Sequence, residues 1–312
     1  MNRQNALKEK LNDRVLPVNK SAGSSTYDCI RKLKGLVRLK RVGHAGTLDP
    51  LATGLILILT GEGTKLSNYL MDLPKRYVGD IEIGESTDTQ DASGKVVKKG
   101  SWEHVTEEAI AHALPEFLGK RKQVPPMFSA LKHKGTPLYM LARKGQKIER
   151  TPREVETYEI KLLECNLPVF RIEVFCSRGL YIRALAEEIG EALGVPAHLA
   201  SLKRTNIGHF DIEGAIDETD FEALSGIGEP GYSLSDALQH IPSMTITENQ
   251  VHGLRNGVAP RQEGDLPAQG SLLRLLLPDG RLGAITEVGV AGTLSIRRVF
   301  NFSGHRQPGE RI

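Results

Sequence analysis

Residues 41–54 read Arg41-Val-Gly-His-Ala-Gly-Thr-Leu-Asp-Pro-Leu-Ala-Thr-Gly54, and the apolar run Leu55-Ile-Leu-Ile-Leu59 follows directly. A short apolar run closed by Thr60-Gly61 predicts a buried strand. Gly43 and Gly46 permit tight backbone turns that a Cβ disfavours, and Pro50 confines Asp49 to extended angles. One carboxylate, Asp49, thus sits near a histidine, His44, in a stiff bend tied to core structure, a common way to hold a catalytic group. Asp-Pro is also an ordinary helix start, with the aspartate as N-cap and the proline in the first turn. On local grounds both readings stand.

Outward from this stretch the chain alternates between strand and helix signals. Val15–Val18 predicts an edge-like strand, since Pro17 has no ladder donor. Ser24, Ser25 or Thr26 caps a helix with Ile30, Leu33 and Val37 on one side. Thr64–Met71 reads as helical, with Leu66, Tyr69 and Leu70 inward. Arg76–Gly84 alternates as a strand that places Tyr77, Gly79, Ile81 and Ile83 on one face. Residues 86–94 read as a turn-rich loop. Thr106 caps a helix that Pro115 is expected to kink. Val155–Leu163 and Val169–Cys176 read as neighbouring strands, and Gly179 opens a helix along Ile182, Leu185, Ile189 and Leu193. Beyond Pro242 the texture becomes β-rich, with a hairpin through Pro278-Asp-Gly280 and a further strand at 293–300.

The 312 residues are 39% hydrophobic and 25% charged, as expected of a globular protein with one large domain and a small one. The longest apolar stretch, Leu55–Leu59, is too short for a membrane span, and the N-terminus lacks the apolar core of a signal peptide. Three cysteines, Cys29, Cys165 and Cys176, without metal-type spacing suggest reduced thiols in a cytoplasm, and no metal site is expected. Residues 31–41 carry +6 and residues 119–153 carry +9, which with a net charge of +3 leaves the rest of the chain at −12. Two basic segments on an acidic body are the footprint of a polyanion partner, although solvated basic faces are also common. In the second, Phe128, Leu131 and Tyr139 interleave with the cations among prolines and glycines. That pattern suits a projecting element whose cations, Lys132 and Arg143 among them, track RNA phosphates while its rings meet loop bases.

Arg183 falls in the first turn of the helix opened by Gly179. A cation there opposes the helix dipole, which suggests a local anion as partner. Asp49 is the natural candidate; a phosphate-binding or solvent-facing arginine is the commoner fate. Tyr77 reads by itself as a core tyrosine, His44 as a loop histidine and Leu202 as core packing.

The string 41–54 resembles the catalytic motif of TruB-type tRNA pseudouridine synthases, Gly-His-(Thr/Ala)-Gly-(Ala/Thr)-Leu-Asp-Pro-Leu-Ala-(Thr/Ser)-Gly. Further matches are Lys75-Arg-Tyr77 and Cys176-Ser-Arg-Gly-Leu-Tyr-Ile-Arg183, the latter with Leu180 in place of the usual threonine. Pro125-Pro-Met-Phe-Ser-Ala-Leu-Lys132 resembles the start of the RNA-gripping insertion of stand-alone bacterial enzymes. The likeness is strong over about residues 13–210 and weak beyond.

It implies an α+β pseudouridine-synthase fold on a curved mixed sheet (residues 1–242, with a basic insertion near 119–153) and a small β-rich PUA-like domain (residues 243–312). By the resemblance Asp49 is the catalytic carboxylate, Arg183 pairs with it in a desolvated pocket, and Tyr77 stacks on the target uracil with its hydroxyl near C5. Tyr181, His44 and Leu202 lie about the flipped base, and Lys65 and Asp91 match polar positions near the site. Lys20 matches a lysine of a Leu-Asp-Lys-Pro motif, here Val-Asn-Lys-Ser, without the proline. The implied reaction converts uridine to pseudouridine at position 55 in the T loop of tRNA. It involves no redox change or hydrolysis and calls for no cofactor. The expected partner is the tRNA T-arm, met by a cytoplasmic monomer. The rival readings are a non-catalytic tRNA-binding or folding protein and a guide-RNA-dependent synthase of related fold. A phosphate-binding loop enzyme is disfavoured because no Gly-Lys-Ser/Thr follows the glycines.

Overall fold

The computed structural model describes residues 3–260 and 266–301. A ten-stranded mixed sheet organises the larger part of the chain. Its path runs through Ile216–Asp217, Val15–Lys20, Thr53–Thr60, Ala197–Ile207, Lys75–Ile83, Val169–Cys176, Arg153–Asn166 and Gly119–Gln123, with Val42–His44 and Phe210–Asp211 attached alongside. Thr53–Thr60 and Ala197–Ile207 run parallel, whereas Lys75–Ile83 is antiparallel to both of its neighbours.

The apolar run at 55–59 does not alternate because both faces of its strand are covered. Ile56 and Ile58 enter a core with Ile172, Leu185 and Leu199, while Leu55, Leu57 and Leu59 enter a second core with Leu66 and Leu70. Val15 donates its N–H outward to Tyr232 O at 3.1 Å, so Pro17, two residues on, also faces outward. Pairing on that side covers Val18 and Asn19, with an isolated bridge from Val15 to Tyr232, and the missing proline donor between them leaves no ladder bond broken. Ser25 caps the Thr26–Leu36 helix in a capping box with Asp28, and Cys29, Ile30 and Leu33 are buried. Thr106 caps Glu107–Ala113, after which Pro115 turns the chain into the 3-10 helix Leu114–Phe117.

The expected helix at 64–71 is instead the 3-10 helix Gly61–Leu66 followed by Ser67–Met71. Part of the loop read at 86–94 is strand, because Glu85–Thr87 pairs with Val96–Lys99. Gly119–Gln123, read as the start of the projecting segment, is the outer strand of the main sheet and pairs with Arg153–Thr157. Its run Lys120-Arg-Lys122 has no apolar alternation, since on this edge Lys120 and Lys122 stay in water while Arg121 turns inward to pair with Glu188. What projects is 124–152, which holds the small hairpin Lys132–His133/Thr136–Pro137 and the helix Leu138–Arg143.

The C-terminal part forms its own four-stranded sheet, Ser243–Thr245, Leu272–Leu276, Leu282–Val288 and Leu294–Val299, with the helix Glu248–Arg255. Val251, Leu254, Leu273 and Leu275 fill its core. Its Leu282, Ile285 and Phe300 pack into the same cluster as Leu55 and Leu57 of the large sheet. Arg274 reinforces the junction by donating to Ile241 O and Ser235 O, each at 2.7 Å.

Candidate active site

Asp49 does not begin a helix. The chain bends through 47–52 and enters the Thr53–Thr60 strand, with Ala52 N–H donating to Asp49 O at 3.1 Å. The bend is held from several sides. Thr26 Oγ1 accepts from Leu48 N–H at 3.1 Å. Pro50 O accepts from Gly23 N–H at 2.8 Å and from Lys20 Nζ at 3.4 Å. From the opposite side the Arg204 guanidinium donates to Leu55 O at 2.7 Å and, more weakly, to Thr47 O and Gly46 O at 3.5 Å each. Gly54 (φ +103°) lets the strand leave the bend, since a Cβ there would lie 2.3 Å from Arg204 O.

The anion that the misplaced cation called for is Asp49. Arg183, the second residue of the Ile182–Ala192 helix, is 4% exposed and its Nε donates to Asp49 Oδ2 at 2.8 Å. Its other nitrogens donate to Thr89 O at 3.0 Å and Phe128 O at 2.9 Å. One side chain thus ties the acid to the 86–94 loop and to the root of the projecting segment. The Asp49 carboxylate is 39% exposed, so the pocket read from sequence as desolvated is open to water in the free protein. Desolvation would have to come with a bound partner.

Asp49, Tyr77, Tyr181, Arg183, Leu202 and Arg204 line one cavity of about 300 Å³, at the lower end of ligand-pocket sizes. Tyr77 stands opposite Arg204 in the antiparallel register, and Gly79 stands opposite Leu202. Burial raises the Tyr77 hydroxyl pKa, and the Arg204 cation acts against that rise. Burial likewise raises that of Tyr181, whose backbone is braced by Gln123, with Oε1 accepting from Tyr181 N–H at 2.8 Å. Leu202 does double duty, being 7% exposed within the main core and lining the cavity.

The remaining candidates lie behind or away from the cavity. Asp91 sits 3.6 Å from Arg183 Nε and also accepts from Thr89 Oγ1 at 2.7 Å and Ser93 N–H at 3.0 Å. Lys20 is fully buried, with Nζ on the carbonyls of Ser21, Ser24 and Pro50, and burial lowers its pKa. His44 is half-buried at the end of Val42–His44, where desolvation, and to a smaller degree Arg204, lowers its pKa. Lys65 lies at the junction with the second sheet, paired with Glu62 and donating to Val299 O at 3.0 Å. Lys132 and Arg143 are exposed on the projecting segment, Arg143 over the Tyr139 ring.

Sequence reasoning missed Arg204, Lys75 and Gln123. Period-two spacing held the signal for the first two, since Lys75 shares a face with Tyr77 and Arg204 with Leu202. Gln123 had none, because its role depends on pairing across the sheet.

The profile of the TruB family pseudouridylate synthase N-terminal domain matches residues 34–182, and that of the tRNA pseudouridylate synthase B C-terminal domain matches residues 183–239. A tRNA pseudouridine synthase B from Geobacter sulfurreducens is 38% identical, covering 93% of this chain and all of the relative. The chain belongs to the TruB family of pseudouridylate synthases. One from Chromohalobacter salexigens is 40% identical over 93% of this chain and 94% of its own. Among solved structures, a chain of a Cbf5–Nop10–Gar1 complex superposes with a TM-score of 0.71 at 23% identity, covering 95% of this chain and 86% of that one. That likeness is one of fold. Membership in the family makes the Asp49 cavity the place to look for pseudouridine chemistry.

Proposed function

We propose that this protein isomerises uridine to pseudouridine at position 55, in the T loop of tRNA. The observation that carries the reading is the Asp49–Arg183 pair at the mouth of a cavity walled by two tyrosines and Leu202. Binding alone has no use for a carboxylate held this way. The tRNA substrate is supported by the names of the relatives, tRNA pseudouridine synthase B.

In the proposed reaction the target base leaves the loop stack, at modest cost for a loop nucleotide, and its ring lies against Tyr77. Asp49 acts as nucleophile, or as the base that starts glycosidic cleavage. Arg183 orients its carboxylate through Nε and is itself fixed by two backbone carbonyls. The uracil turns and rejoins the sugar through C5, and Tyr77 assists loss of the C5 proton. Lys20, whose Nζ meets the Pro50 carbonyl, positions the Asp49 bend from behind rather than touching substrate. Lys132 and Arg143 take phosphates of the T-arm, while His44, Lys65 and Asp91 act from the surroundings of the cavity. Residues 1–242 form the catalytic domain and 243–312 a PUA-like RNA-binding domain, in a cytoplasmic monomer. The basic segment 124–152, rooted beside the cavity at Phe128, favours stand-alone recognition over guide-RNA dependence.

The test is tritium release from T-arm RNA carrying 5-tritiated uridine, with wild type and Asp49→Asn compared. Release by wild type alone supports the synthase reading. Tight binding without release from either protein would overturn it in favour of a binding protein or another RNA target.

A further inference from the structure

Beneath Tyr77 the cavity has a cationic floor that the proposed roles of Asp49, Arg183 and Tyr77 leave unused. Lys75 is 6% exposed and Arg204 2%, and both line the cavity. Buried cations normally sit against a carboxylate. Arg183, the other buried cation of the cavity, obeys the rule by sitting on Asp49. Lys75 and Arg204 do not. Lys75 Nζ donates to Met71 O and Leu73 O, and Arg204 donates to Leu55 O, Thr47 O and Gly46 O and reaches the Tyr77 hydroxyl. Among the described residues no carboxylate oxygen lies within 4.0 Å of either cation. Two positive charges are therefore kept out of water beside a cavity whose one lining carboxylate, Asp49, is already paired with Arg183.

We propose that Lys75 and Arg204 stabilise the negative charge that the uracil ring acquires when its N1–C1′ bond breaks. The inference rests on the synthase reading above and names the charge that the site is built to receive. When that bond breaks, its electron pair stays on the ring, which becomes an anion spread over N1, O2 and O4. The sugar is balanced by Asp49 in one of two ways. A carboxylate oxygen bonds to C1′, or the carboxylate takes the C2′ proton and a C1′–C2′ double bond forms. After the ring turns, C5 bonds to C1′. As that bond forms the Asp49 oxygen leaves C1′, or, on the other route, the proton held by Asp49 returns to C2′. The C5 proton leaves and N1 gains one, so the product is a neutral isomer. Only the intermediate ring is anionic, and fixed cations in a closed, low-dielectric site favour it over the neutral substrate.

Lys75 fits this role for a second reason. Burial, with Arg204 adding to it, lowers its pKa to about 8, while Cys176 and Asp72 act weakly against the fall and Arg178 with it. The fold thus keeps a lysine whose charge is costly, which is expected where that charge meets a partner only during reaction.

Single-turnover glycosidic cleavage is measured on T-arm RNA carrying uridine or 5-fluorouridine at the target, by loss of the N1-linked nucleoside after nuclease digestion. Fluorine makes the departing ring a weaker base, less dependent on outside charge. Lys75→Met and Arg204→Met are each expected to slow cleavage of the uridine RNA by roughly 10²-fold or more, with RNA affinity unchanged. Lys75→Arg and Arg204→Lys, which keep the charge, should recover most of the rate, and the methionine defects should shrink at least tenfold on the fluorinated RNA. A purely structural role for Arg204 in holding the Asp49 bend would slow both RNAs equally. Lys75→Met is free of that ambiguity, because its carbonyl partners lie outside the bend. Equal defects on the two RNAs, or a wild-type rate in Lys75→Met, would overturn the proposal. A wild-type protein inactive on both RNAs would overturn the reading of function, and this assignment with it.

Discussion

Replacing Arg183 with methionine tests the site at its most connected point. The guanidinium spans Asp49, Thr89 O and Phe128 O from a position 4% exposed. Methionine fills much of the same volume, so the cavity contribution is small, but two buried carbonyls lose their donors. An orphaned buried acceptor costs about 1–3 kcal/mol, giving roughly 2–6 for the two. The relief of no longer burying the guanidinium is set against the loss of its attraction to the buried Asp91 carboxylate 3.6 Å away, leaving about 3 kcal/mol. The Asp49 bond adds little to that figure, because the carboxylate is 39% exposed and water can replace the lost donor. At roughly 2–4 °C per kcal/mol the midpoint of thermal unfolding should fall by about 6–12 °C. Turnover should fall much further, by about 10²–10³-fold in kcat, since the carboxylate loses the group that aims it. RNA affinity should barely change. Circular dichroism melts, single-turnover rates and filter binding read the three quantities separately. A variant melting within about 2 °C of wild type would refute the hydrogen-bond accounting, and one with near-wild-type kcat would refute the role of the ion pair.

Tyr77→Phe should retain RNA affinity and slow the step that loses the C5 proton, read as tritium release lagging behind glycosidic cleavage; equal rates would make the hydroxyl irrelevant. Neutralising Lys132, Lys134, Arg143 and Lys144 together should weaken binding and reduce the salt slope by about 3, at roughly 0.7–0.9 per phosphate contact; an unchanged slope would place the RNA elsewhere. The Lys75 pKa of about 8 against an ordinary 10.5 gives two trends of opposite sign. Above about pH 8 the protonated lysine disappears from the folded protein, so kcat/KM should fall. Between about pH 8 and 10.5 the unfolded chain binds the extra proton, so stability from this group should rise with pH. Cys176, pushed up to about 12 by burial, stays neutral through that window. A basic limb that persists unmoved in Lys75→Arg would assign it to another group.

The site was legible in the sequence where its chemistry is local. The glycines and proline around Asp49 marked a rigid bend, and the unfavourable placement of Arg183 on its helix pointed to an anion that proved to be Asp49. What escaped was set by register. Arg204 reaches Tyr77 only because Ala197–Ile207 pairs with Lys75–Ile83 in one alignment, and no spacing within either segment encodes that alignment. The Gly119–Gln123 strand escaped for a different reason, since a run of three cations on an edge looks the same as one in a loop, and the Glu188 that pairs with Arg121 lies far along the chain. The exposure of Asp49 was also invisible, because it depends on how segments distant in sequence, 129–131 and 179–183 among them, come together around the cavity.

The seam between the two sheets bears on anyone who would shorten this protein. The strand that follows the Asp49 bend turns Leu55 and Leu57 into the rear core, and Leu282, Ile285 and Phe300 of the C-terminal part complete the same cluster. Cutting the chain near residue 242 would open that apolar cluster on the reverse of the very strand that follows Asp49. Such a fragment would be prone to clump unless those leucines were recoded as polar residues. Recoding in turn would loosen the wall on which the bend is mounted. The second sheet is thus a lid on the rear of the Asp49 strand, whatever else it touches.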